Sequence, residues 1–328
     1  MRLPLMKFVP DNTNIDFLRW RLFAIVVSLA LIAASAFFLA TRGLNLGVDF
    51  AGGQMIQATF PQPPQIDTLR GQIGALGVGE PVIQEFGSPQ TISIRVPRAE
   101  GETAEQATAI ATRIRAAILQ NYPGARIDSV EAVDGKISQE LAWDGGISLL
   151  LAMLGIAAYI WIRFEWQFGI GALVSLVHDL TIVLGFYSLM QIEFSLNAIA
   201  ALLTLIGYSL NDTVVVYDRI RENLKKYRKM EIEPLLNLSV NETLSRTINT
   251  NGAVLVAITA LLLIGPDVVF DLTIGLFVGV LIGTYSSIYV ARFLLVPLGV
   301  GPDSFVPKDP ISRAERGARN ESFDGAQV

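Results

Sequence analysis

Residues 196–217 read LNAIAALLTLIGYSLNDTVVVY. At about 1.5 Å per residue, such a run is long enough to cross a hydrocarbon core of about 30 Å. Asp212 is its one ionisable acid or base, and it lies roughly 9 Å deeper than the interfacial Asp218 by the same helical rise. Tyr208 and Ser209, at i−4 and i−3, share its face and give a carboxylate flanked by hydroxyls. An ionisable group inside an apolar span is expensive, which marks it for function. A desolvated carboxylate with hydroxyl neighbours suits reversible protonation near neutral pH. The alternative is a carboxylate that only packs one helix against another.

Working outward, five further apolar runs have span length: 22–40 before it, then 145–162 and 168–190, and after it 247–264 and 270–298. The first is flanked by Arg19, Arg21 and Arg42, and its apolar sequence continues past Ala34-Ser35-Ala36, so it reads as a retained span rather than a signal peptide. The composition agrees. Of 328 residues 52% are hydrophobic and 17% charged, with a mean hydropathy of +0.47, against about 25% charge in soluble domains. A net charge of −5 gives no sign of a nucleic-acid partner. No cysteine and a single histidine exclude disulfides, thiolate metal sites, Cys nucleophiles and multi-His metal centres. No Ser-His-Asp or Walker-type constellation is present, so the chain reads as a non-enzyme without cofactors. Tyr217-Asp218 echoes half of an intramembrane aspartyl protease pair, but no Gly-x-Gly-Asp follows.

Six spans put both ends on one side. Arg2, Lys7, Arg19 and Arg21 in arm 1–21, and Arg219, Arg221, Lys225, Lys226, Arg228 and Lys229 in loop 218–246, make that side cytoplasmic. The opposite short loops, near 191–194 and 265–267, have no Lys or Arg. Segment 43–143 then lies outside the cytoplasm. Its pattern reads strand 54–60, helix 65–76, strand 82–86, strand 91–97, helix 103–122, strand 125–133, punctuated at Pro61–Pro64, Gly87-Ser88-Pro89 and Pro123-Gly124. This β-α-β-β-α-β order predicts an extracytoplasmic α+β ferredoxin-like domain between the first two of six transmembrane helices. Gly52-Gly53 is expected to hinge it, with Asp49 capping or anchoring the link or forming a simple Asx-turn. The tail 302–328, rich in Ser, Arg, Gly and Asp, reads as disordered.

Three more polar or small-residue features stand inside the spans. Glu242, Thr243, Arg246, Asn249 and Thr250 form a stripe at helical spacing, from which Arg246 is expected to approach Asp212, or else to snorkel at the interface. His178-Asp179 sits mid-span as a proton relay or a packing dyad; adjacent residues point about 100° apart on a helix, which keeps both from lining one narrow path. Gly275, Gly279, Gly283, Ser287 and Ala291 recur every fourth residue as a ridge for close helix contact, or a sliding surface.

The stretch Gly207-Tyr208-Ser209-Leu210-Asn211-Asp212-Thr213-Val214-Val215-Val216-Tyr217-Asp218-Arg219-Ile220-Arg221-Glu222-Asn223 resembles a signature of the SecF family, accessory subunits of bacterial protein export related to resistance–nodulation–division pumps. Gly47-Val48-Asp49-Phe50-Ala51-Gly52-Gly53, Phe164-Glu165-Trp166, His178-Asp179, Leu244-Ser245-Arg246-Thr247 and Ser286-Ser287-Ile288-Tyr289 carry the resemblance over about residues 10–300. Two departures stand out: Gln167 where a basic residue is common, and Asn249-Thr250-Asn251-Gly252-Ala253 where Thr-Ser and further hydroxyls are usual. The resemblance implies an inner-membrane subunit that pairs with SecD, near the SecYEG channel and YajC. It implies use of the proton-motive force to move and release unfolded preproteins on the periplasmic side, with Asp212 and Arg246 conducting protons. Half of a proton-driven small-molecule or lipid efflux pump is the alternative, and a passive scaffold would leave Asp212 unexplained.

Overall fold

The protein is described by a computed structural model that covers residues 10, 13–78, 81–96, 104–133, 135–301 and 304. Arg2, Lys7 and, Ser304 apart, the expected disordered tail 302–328 lie outside these described residues.

Long, mostly apolar runs make the long helices. Helix α1 spans Arg21–Thr41; after the soluble segment come α5 (Gly135–Arg163), α6 (Trp166–Met190), α7 (Leu196–Lys226), α8 (Ile232–Ile264) and α9 (Phe270–Ile288), the last followed by the short α10 (Val290–Phe293). Among the described residues six helices, counting 270–293 as one, are long and apolar enough to cross a membrane. The end of the bundle where α1 begins and α10 ends is called here the terminal face. Segment 218–246, read from sequence as a loop, is mostly helix: α7 runs on to Lys226 and α8 starts at Ile232. Hydropathy marks where lipid ends, whereas Arg, Glu, Asn and Lys there remain compatible with a helix in water.

Between α1 and α5 the chain forms β1 (Asn45–Leu46), α2 (Val48–Ala51), β2 (Gly53–Thr59), α3 (Ile66–Gly74), β3 (Val82–Phe86), β4 (Ser88–Val96), α4 (Ala104–Asn121) and β5 (Arg126–Val133). The four longer strands make one antiparallel sheet in the order β3-β4-β2-β5, the arrangement expected of a β-α-β-β-α-β unit. Ile56 and Ala58 of β2 and Ile92 and Ile94 of β4 are buried beneath Leu69 and Ile73 of α3 and Ile114 and Ile118 of α4. Gly52 and Gly53, with φ of 69° and 109°, turn the chain sharply into β2 through conformations that L side chains rarely adopt.

The link into this domain holds two features too short for periodicity to reveal. Strand β1 pairs in parallel with β6 (Glu193–Phe194), which lies between α6 and α7. Asp49 reaches across to α7, where its Oδ2 accepts from the Leu196 N–H at 2.8 Å. The carboxylate thus meets one of the unpaired donors at a helix N-terminus, next to the Ser195 cap. Asp49 thereby ties the link to the start of α7.

The glycine ridge faces helices, not lipid. A Cβ on Gly279 would fall 2.8 Å from both Leu205 methyls, and one on Gly283 would fall 3.3 Å from the Ser209 Cβ. Gly275 admits the Tyr187 hydroxyl in the same way. The small residues bring α9 onto α6 and α7 along most of the span, and this close contact sets the geometry of the polar groups between them.

Candidate functional site: a polar seam between the helices

Asp179 and Asp212 are carboxylates buried in mid-bundle where helices cross. Asp179 of α6 is 1% exposed. Its Oδ2 accepts from Ser209 Oγ of α7 at 2.6 Å and Ser286 Oγ of α9 at 2.8 Å, while Oδ1 stands 2.9 Å from His178 Nδ1. The other ring nitrogen, His178 Nε2, stands 3.2 Å from Ser28 Oγ of α1. Ser28 in turn lies 2.9 Å from the Tyr285 hydroxyl, which donates to the Ala24 carbonyl at 2.6 Å. One hydrogen-bonded chain therefore joins four helices. His178 and Asp179 belong to it together, against the expectation that their 100° separation would divide them: the imidazole folds back onto its neighbour.

Asp212 of α7 is 4% exposed and is met by an amide. Asn251 Nδ2 of α8 donates to Asp212 Oδ2 at 2.7 Å and to Thr284 Oγ1 of α9 at 2.5 Å, and Asn251 Oδ1 accepts from the Tyr208 hydroxyl at 2.7 Å. Tyr208 serves Asp212 through Asn251, and Ser209 serves Asp179 instead. Arg246 makes no ion pair with Asp212, although its charge is felt there. It is exposed on α8 and lines a cavity of about 280 Å³ with Tyr159, Phe164, Val214, Val215 and Asp218.

Of the stripe Glu242, Thr243, Arg246, Asn249 and Thr250, only Thr243 is buried; Glu242, Arg246 and Thr250 are exposed, and the buried polar positions of α8 include Ser239, Thr243, Thr247 and Asn251. The spacing was that of a helix but its phase was about a quarter-turn off. Asn251 had a signal of its own, since it stands in the short segment where the sequence departs from the resembling pattern. Ser28, Tyr285 and Thr284 had none beyond being hydroxyls in apolar runs. Ser286 stood within a quoted motif without a role.

Glu242 clamps the ends of α7 and α8 beyond the seam: its Oε2 accepts from Arg219 Nε and from Asn223 Nδ2, each at 2.7 Å. Asn237 and Asn241, one turn apart on α8, hold the arm before α1. Asn241 Oδ1 accepts from the Ile15 N–H at 2.8 Å, Asn241 Nδ2 donates to the Ile15 carbonyl at 2.9 Å, and Asn237 Oδ1 accepts from the Phe17 N–H at 3.0 Å.

At the opposite face, Glu193 of β6 is enclosed between bundle and domain. Burial is the main cause that pushes its carboxyl up to about 7; Arg95 opposes this, and Asp271, Glu131 and Asp49 add to it. Asn45 Nδ2 donates to Gln84 Oε1, and Arg95 donates to Asn45 Oδ1, both at 3.1 Å, so the strand that pairs with Glu193 also holds the soluble sheet.

A class follows from these features: a polytopic membrane protein with carboxylates buried at helix crossings and one small α+β domain between its first two spans. Residues 114–300 match the family described as protein export membrane protein SecD/SecF, C-terminal, and residues 37–63 match the SecD/SecF GG motif. The protein translocase subunit SecF of Desulfurispirillum indicum is 44% identical over 86% of this chain and 91% of its own. That of Rhodobacter capsulatus is 39% identical over 98% of both. The crystal structure of SecDF from Thermus thermophilus, a translocon-associated membrane protein, superposes with a TM-score of 0.80 at 33% identity over 89% of this chain. This chain spans 39% of the length of that SecDF chain. It belongs to the SecF family of protein translocase subunits, and is a multi-pass inner-membrane protein.

Proposed function

We propose that this chain pairs with a SecD subunit, beside the SecYEG channel and YajC, and couples the proton-motive force to the translocation and release of unfolded preproteins. Both termini are cytoplasmic in this reading, which the basic residues Arg219, Arg221, Lys225 and Lys226 support, and the α+β domain is periplasmic. The SecDF chain is more than twice as long as the part that superposes, so a separate SecD chain would complete the same architecture.

The observation that carries the proton-coupled reading is the partner of Asp212. A buried carboxylate held by the neutral Asn251 amide accepts a proton without breaking an ion pair. In the ionised state the amide bond is charge-assisted and draws α8 and, through Thr284, α9 onto α7. Protonation removes the charge, weakens that bond and frees the amide to turn. Asp179, with three donors from two other helices and its own, braces the seam and offers His178 as a relay toward α1. Asp212→Asn keeps shape and cannot titrate. In inverted vesicles containing the SecD partner, it is expected to abolish pH-gradient-stimulated export while the complex still assembles. Undiminished stimulation would reject proton coupling at Asp212.

A further inference from the structure

Arg292 of α10 is wholly enclosed, and none of its Nε, Nη1 and Nη2 atoms has a hydrogen-bond partner among the described residues. Its guanidinium lies between two rings, with Cζ 5.7 Å from the centroid of Phe17 and 5.0 Å from that of Phe293. Aromatic faces attract a cation but accept none of its five N–H bonds, and desolvating a guanidinium costs more than two such faces return. Asp16, the acid whose charge is felt at Arg292, spends its Oδ1 on the N–H groups of Leu18 and Arg19. Other membrane arginines near helix ends snorkel to water; this one is turned inward.

Next to it lies an apolar groove of about 450 Å³ between α1, α6 and α10, lined by Ala24, Leu29, Val174, Val177, Phe293 and Leu294 among others. It follows α1 from Ala24 to Ile32, about 12 Å of helix starting at the terminal face. Phe293 belongs to both sites: its ring lines the groove and covers the guanidinium. One ring therefore lies between an apolar slot at the terminal face and a guanidinium that has no hydrogen-bond partner among the described residues.

We propose that Arg292 and the α1–α6–α10 groove form a binding site for a membrane phospholipid. Its acyl chain fills the groove, and its phosphate turns Phe293 aside to pair with the guanidinium. The planar fork of arginine matches phosphate oxygens two at a time, and basic pockets between spans at the headgroup level are the places where such groups dock. Ser28 and His178 also line this groove, so a bound lipid would lie against the link between α1 and the Asp179 chain.

The test uses the full chain purified in a mild detergent, with lipid retention read by native mass spectrometry and melting followed as phosphatidylglycerol is added. The wild type is expected to retain one phospholipid and to melt higher as that lipid is added, because a ligand that binds only the folded state stabilises it. Inorganic phosphate and diacylglycerol, each lacking one half of the ligand, are expected to leave melting unchanged. Arg292→Met should weaken retention at least tenfold. Val177→Trp, which fills the groove at an exposed position and leaves the guanidinium in place, should do the same and carries the test if Arg292→Met does not fold. Retention in Val177→Trp equal to that of the wild type would overturn the proposal. Stabilisation by inorganic phosphate as large as by the phospholipid would overturn the lipid as ligand.

Discussion

Glu193→Gln should remove a pH dependence from the joint between bundle and soluble domain. The charged groups felt at this carboxyl come from several elements: Arg95 on β4, Asp271 on α9, Glu131 on β5 and Asp49 on α2. Burial outweighs Arg95, so the closed joint favours the protonated form. Opening the β1–β6 pair would return Glu193 to water and to its ordinary value of 4.5. Below that value both states hold the proton, and Glu193 imposes no penalty on the closed joint. As pH rises from 4.5 through about 7, the open state loses its proton first and becomes favoured. Moving the carboxyl from 4.5 to about 7 corresponds to about 3 kcal/mol, or roughly three hundredfold in the opening equilibrium. Glu131, whose carboxyl is also pushed up by burial, acts in the same direction. Hydrogen exchange of residues 43–53, corrected for the intrinsic pH dependence of exchange, reads this directly. Protection in the wild type is expected to fall across pH 4.5–7.5, with most of that slope gone in Glu193→Gln. Equal slopes in the two proteins, or protection that rises with pH in the wild type, would refute the reasoning.

Gly279→Ala places a methyl 2.8 Å from the Leu205 side chain and should destabilise the bundle by about 1–3 kcal/mol, with Leu205→Ala in the same chain restoring part of the loss in thermal unfolding. Asn251→Leu removes the donor to a buried carboxylate and should cost about 1.5–3 kcal/mol or more. Adding Asp212→Leu should recover much of that, and a double-mutant cycle with no coupling energy would exclude the bond as a link between α7 and α8.

The spans were legible because a membrane helix must be apolar along its whole crossing, and the soluble domain because Pro and Gly mark its turns. Gly279 and Gly283 were legible as a close-contact ridge since spacing alone puts small residues on one face. What could not be read was how far one helix stands along its neighbour. Arg246 and Asn251 differ by five residues, about 7.5 Å along α8 and a different face of it. Which of them meets Asp212 depends on the offset between α7 and α8, fixed by tertiary contacts such as Glu242 with Arg219 and Asn223. The β1–β6 pairing was illegible for a different reason: two residues per strand carry no alternation, and only the fold brings Asn45 beside Glu193.

Helix α7 runs unbroken for 31 residues, and its length makes it a lever. Its first turn is tied by Asp49 to the strand leading into the soluble domain, its middle carries Asp212, and its far end is clipped to α8 through Arg219. From Asp212 to Leu196 is about 24 Å of rigid rod, so a tilt of only about 5° at the carboxylate carries the Asp49 attachment sideways by about 2 Å. A change of hydrogen bonding too small to alter the shape of the seam would thus be felt as displacement on the other side of the membrane, with no moving part between them except the helix itself.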